Sequence, residues 1–307
     1  MARNGKSIFI ALLEFIPALV ILGILWLFPY RWGVQFGKVL GRIGFKYAAS
    51  ARNDAIAGLT ASFPDWSPER VRETALRSFE HMGMYFLEVV LFPKLSNRYI
   101  LKRLIRPVNH EIVEKLLAEG KGIVALSIHM GNPEFPGAYI GISGNPVHAV
   151  SRRMDNPFFQ TVTASARAKK GINVIPRDNA LRKIFEALKE NHPVAFLVDQ
   201  NWAAGGVFVP FFGRLAATAK GPIQFAMKTG AKVLITYDVR NSDDVTHTAY
   251  FVREMVLEHK ENDEETIRYN TAKYTKMYED IIRQHPEQWL WAHGRWSTRP
   301  REEECRS

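Results

Sequence analysis

The run Ser127-Ile128-His129-Met130-Gly131-Asn132-Pro133-Glu134 sets an imidazole and a carboxylate five positions apart, directly after the apolar stretch Gly122 to Leu126. An imidazole titrates near neutrality, so it can take a proton from a hydroxyl and hand it on within one reaction cycle. A carboxylate beside it fixes the tautomer and balances the charge that forms, which is the part expected of Glu134. If Gly122 to Leu126 is a buried strand, the pair lies at its C-terminal end, where open α/β sheets collect their sites. The same spacing also fits an ordinary helix N-terminus, so the case depends on what other segments bring to that edge.

Four segments contribute. Ser151-Arg152-Arg153-Met154-Asp155-Asn156-Pro157 puts two guanidinium groups between a strand and a helix, suited to two-pronged contacts with phosphate or carboxylate. Arg167 lies along the following helix and Arg177 after the next strand; all of these are equally readable as solvated surface arginines. Asp199-Gln200-Asn201 ends another apolar strand, as a third polar group of the site or as a turn cap. Gly206 to Gly213, with Phe211 and Phe212, reads as the wall of an apolar groove or as a buried β-hairpin. Finally, Gln288 to Trp296 carries three tryptophans among basic residues, either at a membrane interface or in a core.

The elements that must hold these groups show a β/α alternation. Apolar runs at 122–128, 146–150, 172–175, 194–198 and 232–239 are separated by helical patterns at 157–170, 179–190 and 221–229. A strand over 246–256 and a long helix over 264–284 follow. Upstream, Ser67 can cap and Pro68 can open a strong helix between Asp65 and Pro93, with shorter helical segments over 97–104 and 109–119. The expected fold class is α/β, a mixed, mostly parallel sheet flanked by helices. The divisions are an anchor (1–30), a helical amphipathic region (31–120), an α/β core (121–300) and a polar tail (301–307).

The 307 residues carry a formal charge of +10, which points to a polyanionic partner. The single cysteine, Cys305, excludes an intramolecular disulfide and a cysteine-based metal site. From Ile8 to Pro29 the chain is apolar except for Glu14 and is long enough for a membrane helix, with an interfacial placement as the alternative. Arg3 and Lys6 precede it and more cations follow, so the positive-inside bias favours a cytoplasmic body. Tyr30 to Ala51 mixes aromatic, aliphatic and basic residues, like an amphipathic helix on an anionic surface or a helix packed on the body.

Taken in order, His129-x4-Glu134, Arg152-x3-Asn156-Pro157, Asp199-Gln200, Val207 to Gly213 and Gln288-Trp289-Leu290-Trp291-x-His293-x-Arg295-Trp296 resemble the lipid A late acyltransferases, within the lysophospholipid acyltransferase superfamily. The resemblance covers nearly the whole chain, and the order and spacing of its motifs make it specific. It implies a glycerolipid acyltransferase-like fold in the bacterial inner membrane. The implied reaction moves a fatty acyl group from an acyl carrier protein thioester to a hydroxyl of a lipid A precursor. His129 would act as base and Glu134 would orient it. Arg167 would bind phosphate or stabilise the oxyanion, and Arg152, Asn156 and Arg177 would shape the same side. Ser151, Arg153 and Pro133 depart from the family pattern, on the acceptor side.

No cofactor, metal or nucleic-acid partner is expected. Ser127 lies near His129, but a Gly-x-Ser-x-Gly elbow is absent, which disfavours a serine hydrolase. His129 and Glu134 supply two metal ligands where a hydrolytic site needs about three. The competing readings are another glycolipid or a lysophospholipid as acceptor, with acyl-coenzyme A as donor, and a membrane protein that binds anionic lipid without chemistry.

Overall fold

The computed structural model describes residues 8–178, 180–203 and 205–300. Arg3, Lys6, Asn179 and the tail with Cys305 lie outside the described residues. The chain opens with helices α1 (Ile8–Leu27), α2 (Tyr30–Tyr47), α3 (Ala49–Ser62) and α4 (Pro68–Leu91). As its sequence predicts, α4 starts at a cap: Ser67 accepts from the Arg70 amide at 3.3 Å, and Pro68 occupies the first turn, where its missing N–H costs nothing. Helices α2 and α4 meet along glycines, because a Cβ on Gly37 would stand 2.5 Å from the Gly83 carbonyl oxygen.

A short helix α5 (Asn97–Tyr99) leads into β1 (Ile105–Val108), α6 (Glu111–Leu117), β2 (Ile123–Ser127) and α7 (Glu134–Ile142). Then come β3 (Val147–Ser151), α8 (Pro157–Ala168), β4 (Ile172–Pro176), α9 (Ala180–Lys189) and β5 (Pro193–Leu197). A hairpin of β6 (Val207–Phe211) and β7 (Arg214–Thr218) precedes α10 (Gly221–Thr229), β8 (Lys232–Arg240), β9 (His247–Glu254) and α11 (Asp263–Gln284). Seven strands form one sheet in the order β1-β9-β8-β2-β5-β3-β4. All neighbours are parallel except β8 and β9, so β8, β2, β5, β3 and β4 end on one common edge. The fold class is the α/β class expected.

Period-two alternation sends β2 side chains to two cores. Val124 and Leu126 join the face covered by α9, α10 and α11, while Ile123 and Ala125 join the face covered by α6 and α7. The β6–β7 hairpin packs as core: Phe211 and Phe212 are 2% and 4% exposed, among Trp289, Trp291 and Trp296. Each segment allowed two readings, and the structure takes the buried one: Phe211 and Phe212 pack in the hairpin core, and the C-terminal tryptophans are interior, because their rings fill the space between hairpin and sheet.

The N-terminal segment also differs from expectation. Among the described residues no helix is long and apolar enough to cross a membrane, so a spanning anchor at Ile8–Pro29 is not supported. Helix α1 is instead fastened along the body. Asn156 donates to the Ala11 carbonyl at 2.9 Å and to the Glu14 carboxylate at 3.2 Å, and Phe15 stacks on Phe158 with ring centres 5.3 Å apart. Farther on, Trp26 donates to the Val90 carbonyl and Lys94 to that of Phe28. The acid least compatible with a hydrocarbon core thus has a partner on α8.

Candidate active site

Strand register places the first pair. In β2 and β5, Ser127 stands opposite Leu197, so the residues two positions beyond each strand, His129 and Asp199, emerge side by side. Asp199 Oδ1 lies 2.8 Å from His129 Nδ1, and Oδ2 accepts from the His129 amide at 2.8 Å and from the Trp289 indole N–H at 2.7 Å. The carboxylate is thereby fixed through both oxygens. It holds the Nδ1 proton and leaves Nε2 as the acceptor, 3.4 Å from the Gln200 amide nitrogen. The His129 side chain keeps 18% of its surface exposed, against 4% for Asp199.

Burial alone would lower the His129 pKa, but the charge and hydrogen bond of Asp199 outweigh it and raise the imidazole above its ordinary value. Burial would raise Asp199, and it is held below the usual carboxylate range by His129 and by the indole donor. Glu134, expected to orient His129, does something else. It begins α7 and is gripped by Arg167 from the last turn of α8, Nε to Oε2 at 2.9 Å and Nη2 to Oε1 at 2.5 Å. Among the described residues Glu134 makes no hydrogen bond to the imidazole, whose Nδ1 is taken by Asp199, and its charge adds to the rise in the His129 pKa after that of Asp199. The structure therefore brings His129, Asp199 and Gln200 together, with the Glu134–Arg167 pair at the other end of the same turn.

Beside Glu134 a small cavity of about 40 Å³ opens between α7 and the sheet. Ala125, Ala149 and Ala195 line it from three adjacent strands, Gly137 and Ile140 from the helix, and Ser127 at its polar end. Small side chains on both walls leave room that larger ones would fill.

The remaining arginines do not converge. Arg152 is 65% exposed and 4.0 Å from Asp155, and Arg177 is exposed over the Trp202 ring at 4.1 Å. Asn156 caps α8, accepting from the Phe158 amide at 3.0 Å while its amide group serves α1. Its polar atoms are occupied by protein, which gives it a structural task in place of the substrate contact expected.

Sequence reasoning passed over Trp289 as a donor to Asp199, and a buried polar group formed by Asn132, Glu88, Asp238, Arg240 and His247. A signal existed for the latter: Glu88 interrupts the apolar run Phe86-Leu87-Glu88-Val89-Val90, and Asp238 and Arg240 interrupt a buried strand.

Comparison with known proteins places the chain in a family. A family described as bacterial lipid A biosynthesis acyltransferase matches residues 8–298. The chain is 26% identical to the lipid A biosynthesis lauroyltransferase and 27% identical to the palmitoleoyltransferase of Escherichia coli (strain K12), each over 284 residues, 91% of this chain and 90% of the relative. It is 28% identical over 165 residues, 52% of either chain, to a phosphatidylinositol mannoside acyltransferase of Mycobacterium tuberculosis. The chain belongs to the bacterial lipid A biosynthesis acyltransferase family and is an acyltransferase.

Proposed function

We propose that the protein moves a fatty acyl chain from an acyl carrier protein thioester to a hydroxyl of a lipid A precursor, with His129 as general base held by Asp199. The observation that carries this reading is the Asp199–His129 pair, in which the carboxylate takes Nδ1 and leaves Nε2, with Gln200 3.4 Å away, on the partly exposed side of the ring. Nε2 takes the proton of the acceptor hydroxyl as its oxygen bonds to the thioester carbonyl carbon. The tetrahedral oxyanion collapses, the C–S bond breaks, and the imidazolium returns its proton to the departing thiolate. The Glu134–Arg167 pair supports the oxyanion: Glu134 orients the guanidinium, whose Nη1 makes no hydrogen bond to protein among the described residues.

The body lies against the bacterial inner membrane on its cytoplasmic side. Support comes from exposed apolar side chains on α1 (Ile16, Val20, Ile24) and α2 (Trp32, Phe36, Ile43), which fit an interfacial placement. The half-length likeness to a phosphatidylinositol mannoside acyltransferase favours a different glycolipid as the competing acceptor.

The test is purified enzyme with acyl carrier protein thioester and a lipid A precursor, following thiol release and acceptor mass together. Wild type couples the two, and His129→Ala lowers kcat by about a thousandfold. A His129→Ala enzyme within about threefold of wild type would sink the assignment of the base.

A further inference from the structure

Glu88, Asp238, Arg240 and His247 are 0–2% exposed and belong to neither the His129–Asp199 nor the Glu134–Arg167 pair. They come from α4, β8 and β9. Arg240 clamps Glu88 through both terminal nitrogens, Nη2 to Oε2 at 2.8 Å and Nη1 to Oε1. His247 bridges the two acids, Nε2 3.0 Å from Glu88 Oε1 and Nδ1 2.6 Å from Asp238 Oδ2. A carboxylate on each nitrogen favours the charged imidazole: burial alone would lower the His247 pKa, and Asp238 and Glu88 raise it against that burial. Ions at this depth add little net stability, because desolvation offsets their attraction. Their use lies in what else they hold.

What they hold is the turn between His129 and Glu134. Asp238 Oδ2 accepts from the Asn132 amide at 2.7 Å, and Asn132 Nδ2 donates to Glu88 Oε2 at 3.0 Å. The Asn132 Oδ1 then accepts from the Glu134 amide at 3.1 Å, at the first residue of α7. One residue earlier, Gly131 has φ +56°, and a Cβ there would stand 2.5 Å from two Asp238 oxygens. Asp199 secures one end of the turn and Arg167 the other. Its middle is tied to the body by the Asn132 side-chain and amide contacts and, on the other flank, by the Gly131 amide, which donates to the Gln288 carbonyl at 3.3 Å beside the Met130–Trp289 bridge.

We propose that the Glu88–Arg240–His247–Asp238 cluster is a positioning device that sets, through Asn132, the distance and orientation between His129 and Glu134. This rests on the acyl-transfer reading above. None of the five residues touches the reacting atoms; they act through the turn.

The experiment is steady-state transfer by the full chain as wild type, Asn132→Ala and Asn132→Asp, with melting temperatures. Asn132→Ala removes both side-chain bonds. Asn132→Asp keeps the acceptor for the Glu134 amide and aims a carboxylate at Glu88; the charged groups around that position are Glu88 from α4, Asp238 and Arg240 from β8, His247 from β9 and Glu134 from α7. Both variants should lose about tenfold or more in kcat with KM within about threefold, since the loss is one of alignment. For Asn132→Asp the ratio of variant to wild-type kcat should rise from about pH 8 to about pH 6, as protonation restores a donor to Glu88. Taking the ratio cancels the titration of His129 itself.

Folded variants with kcat within about twofold of wild type, or a ratio flat with pH, overturn the proposal. If Asn132→Asp does not fold, Asn132→Ala decides by the split between kcat and KM, and a loss confined to KM counts against it. An inactive wild type sinks the acyl-transfer reading. An active wild type with a dead His129→Ala and unaffected Asn132 variants sinks the positioning role alone.

Discussion

The carboxylate that makes His129 basic sits seventy positions downstream of it, and that distance decides both the chemistry and what a reader of the sequence can see. A general base works only while neutral, so a raised pKa means activity is lost as pH falls through a value above the ordinary imidazole pKa. Asp199→Asn removes the charge that raises it and leaves the burial that lowers it. The acid limb of the pH–rate profile should therefore move to lower pH, while the plateau drops by about a hundredfold or more as the tautomer is no longer enforced. A limb that stays in place in Asp199→Asn would show that another group sets it. His129 stood out as a candidate from its type and place in the chain, and Arg167 only through the family resemblance. The partner of His129 was not legible, because Glu134 is near in sequence while Asp199 is near only through the β2–β5 register, which a single sequence does not contain. Phe211 and Phe212 misled for a related reason: an aromatic run looks the same in a hairpin core as along a groove.

At the scale of elements, the close approach of α2 and α4 depends on glycine where backbones touch. A Cβ on Gly41 would come within 2.2 Å of the Phe79 carbonyl oxygen, and one on Gly83 within 2.2 Å of that of Gly37. Backbone cannot rotate away as a side chain can, so the helices must separate. Gly37→Ala should cost about 2 kcal/mol or more of stability, against the small helix-propensity gain of removing a glycine, and calorimetry should show a lower melting temperature. An unchanged melting temperature would mean that the helix pair yields freely. Helix α4 was legible because Ser67, Pro68 and the apolar period agree with one another. Strand β1 was not, since Ile105-Arg106-Pro107-Val108 is four residues with a proline, which only an edge position tolerates.

For the whole molecule, the alternation of apolar runs and helical patterns announced a mostly parallel sheet, and the common edge of five strands gathers the site as that topology requires. Strand order and the route of α1 were beyond it: a long apolar segment reads the same whether it crosses a bilayer or lies along a body, and the Asn156 contact that distinguishes them is a tertiary fact. With Trp32 64% exposed and Phe36 and Ile43 about half exposed, α2 offers an apolar face to a membrane surface. Replacing all three by serine should cut flotation with anionic vesicles by about tenfold without lowering the melting temperature. Undiminished flotation would place the membrane contact elsewhere. Acyl transfer by His129 is tested by mass spectrometry of the lipid A fraction from cells lacking the protein, carrying wild type, or carrying His129→Ala. A species heavier by one acyl chain should appear with wild type alone. The same species with His129→Ala, or none with wild type, would contradict it.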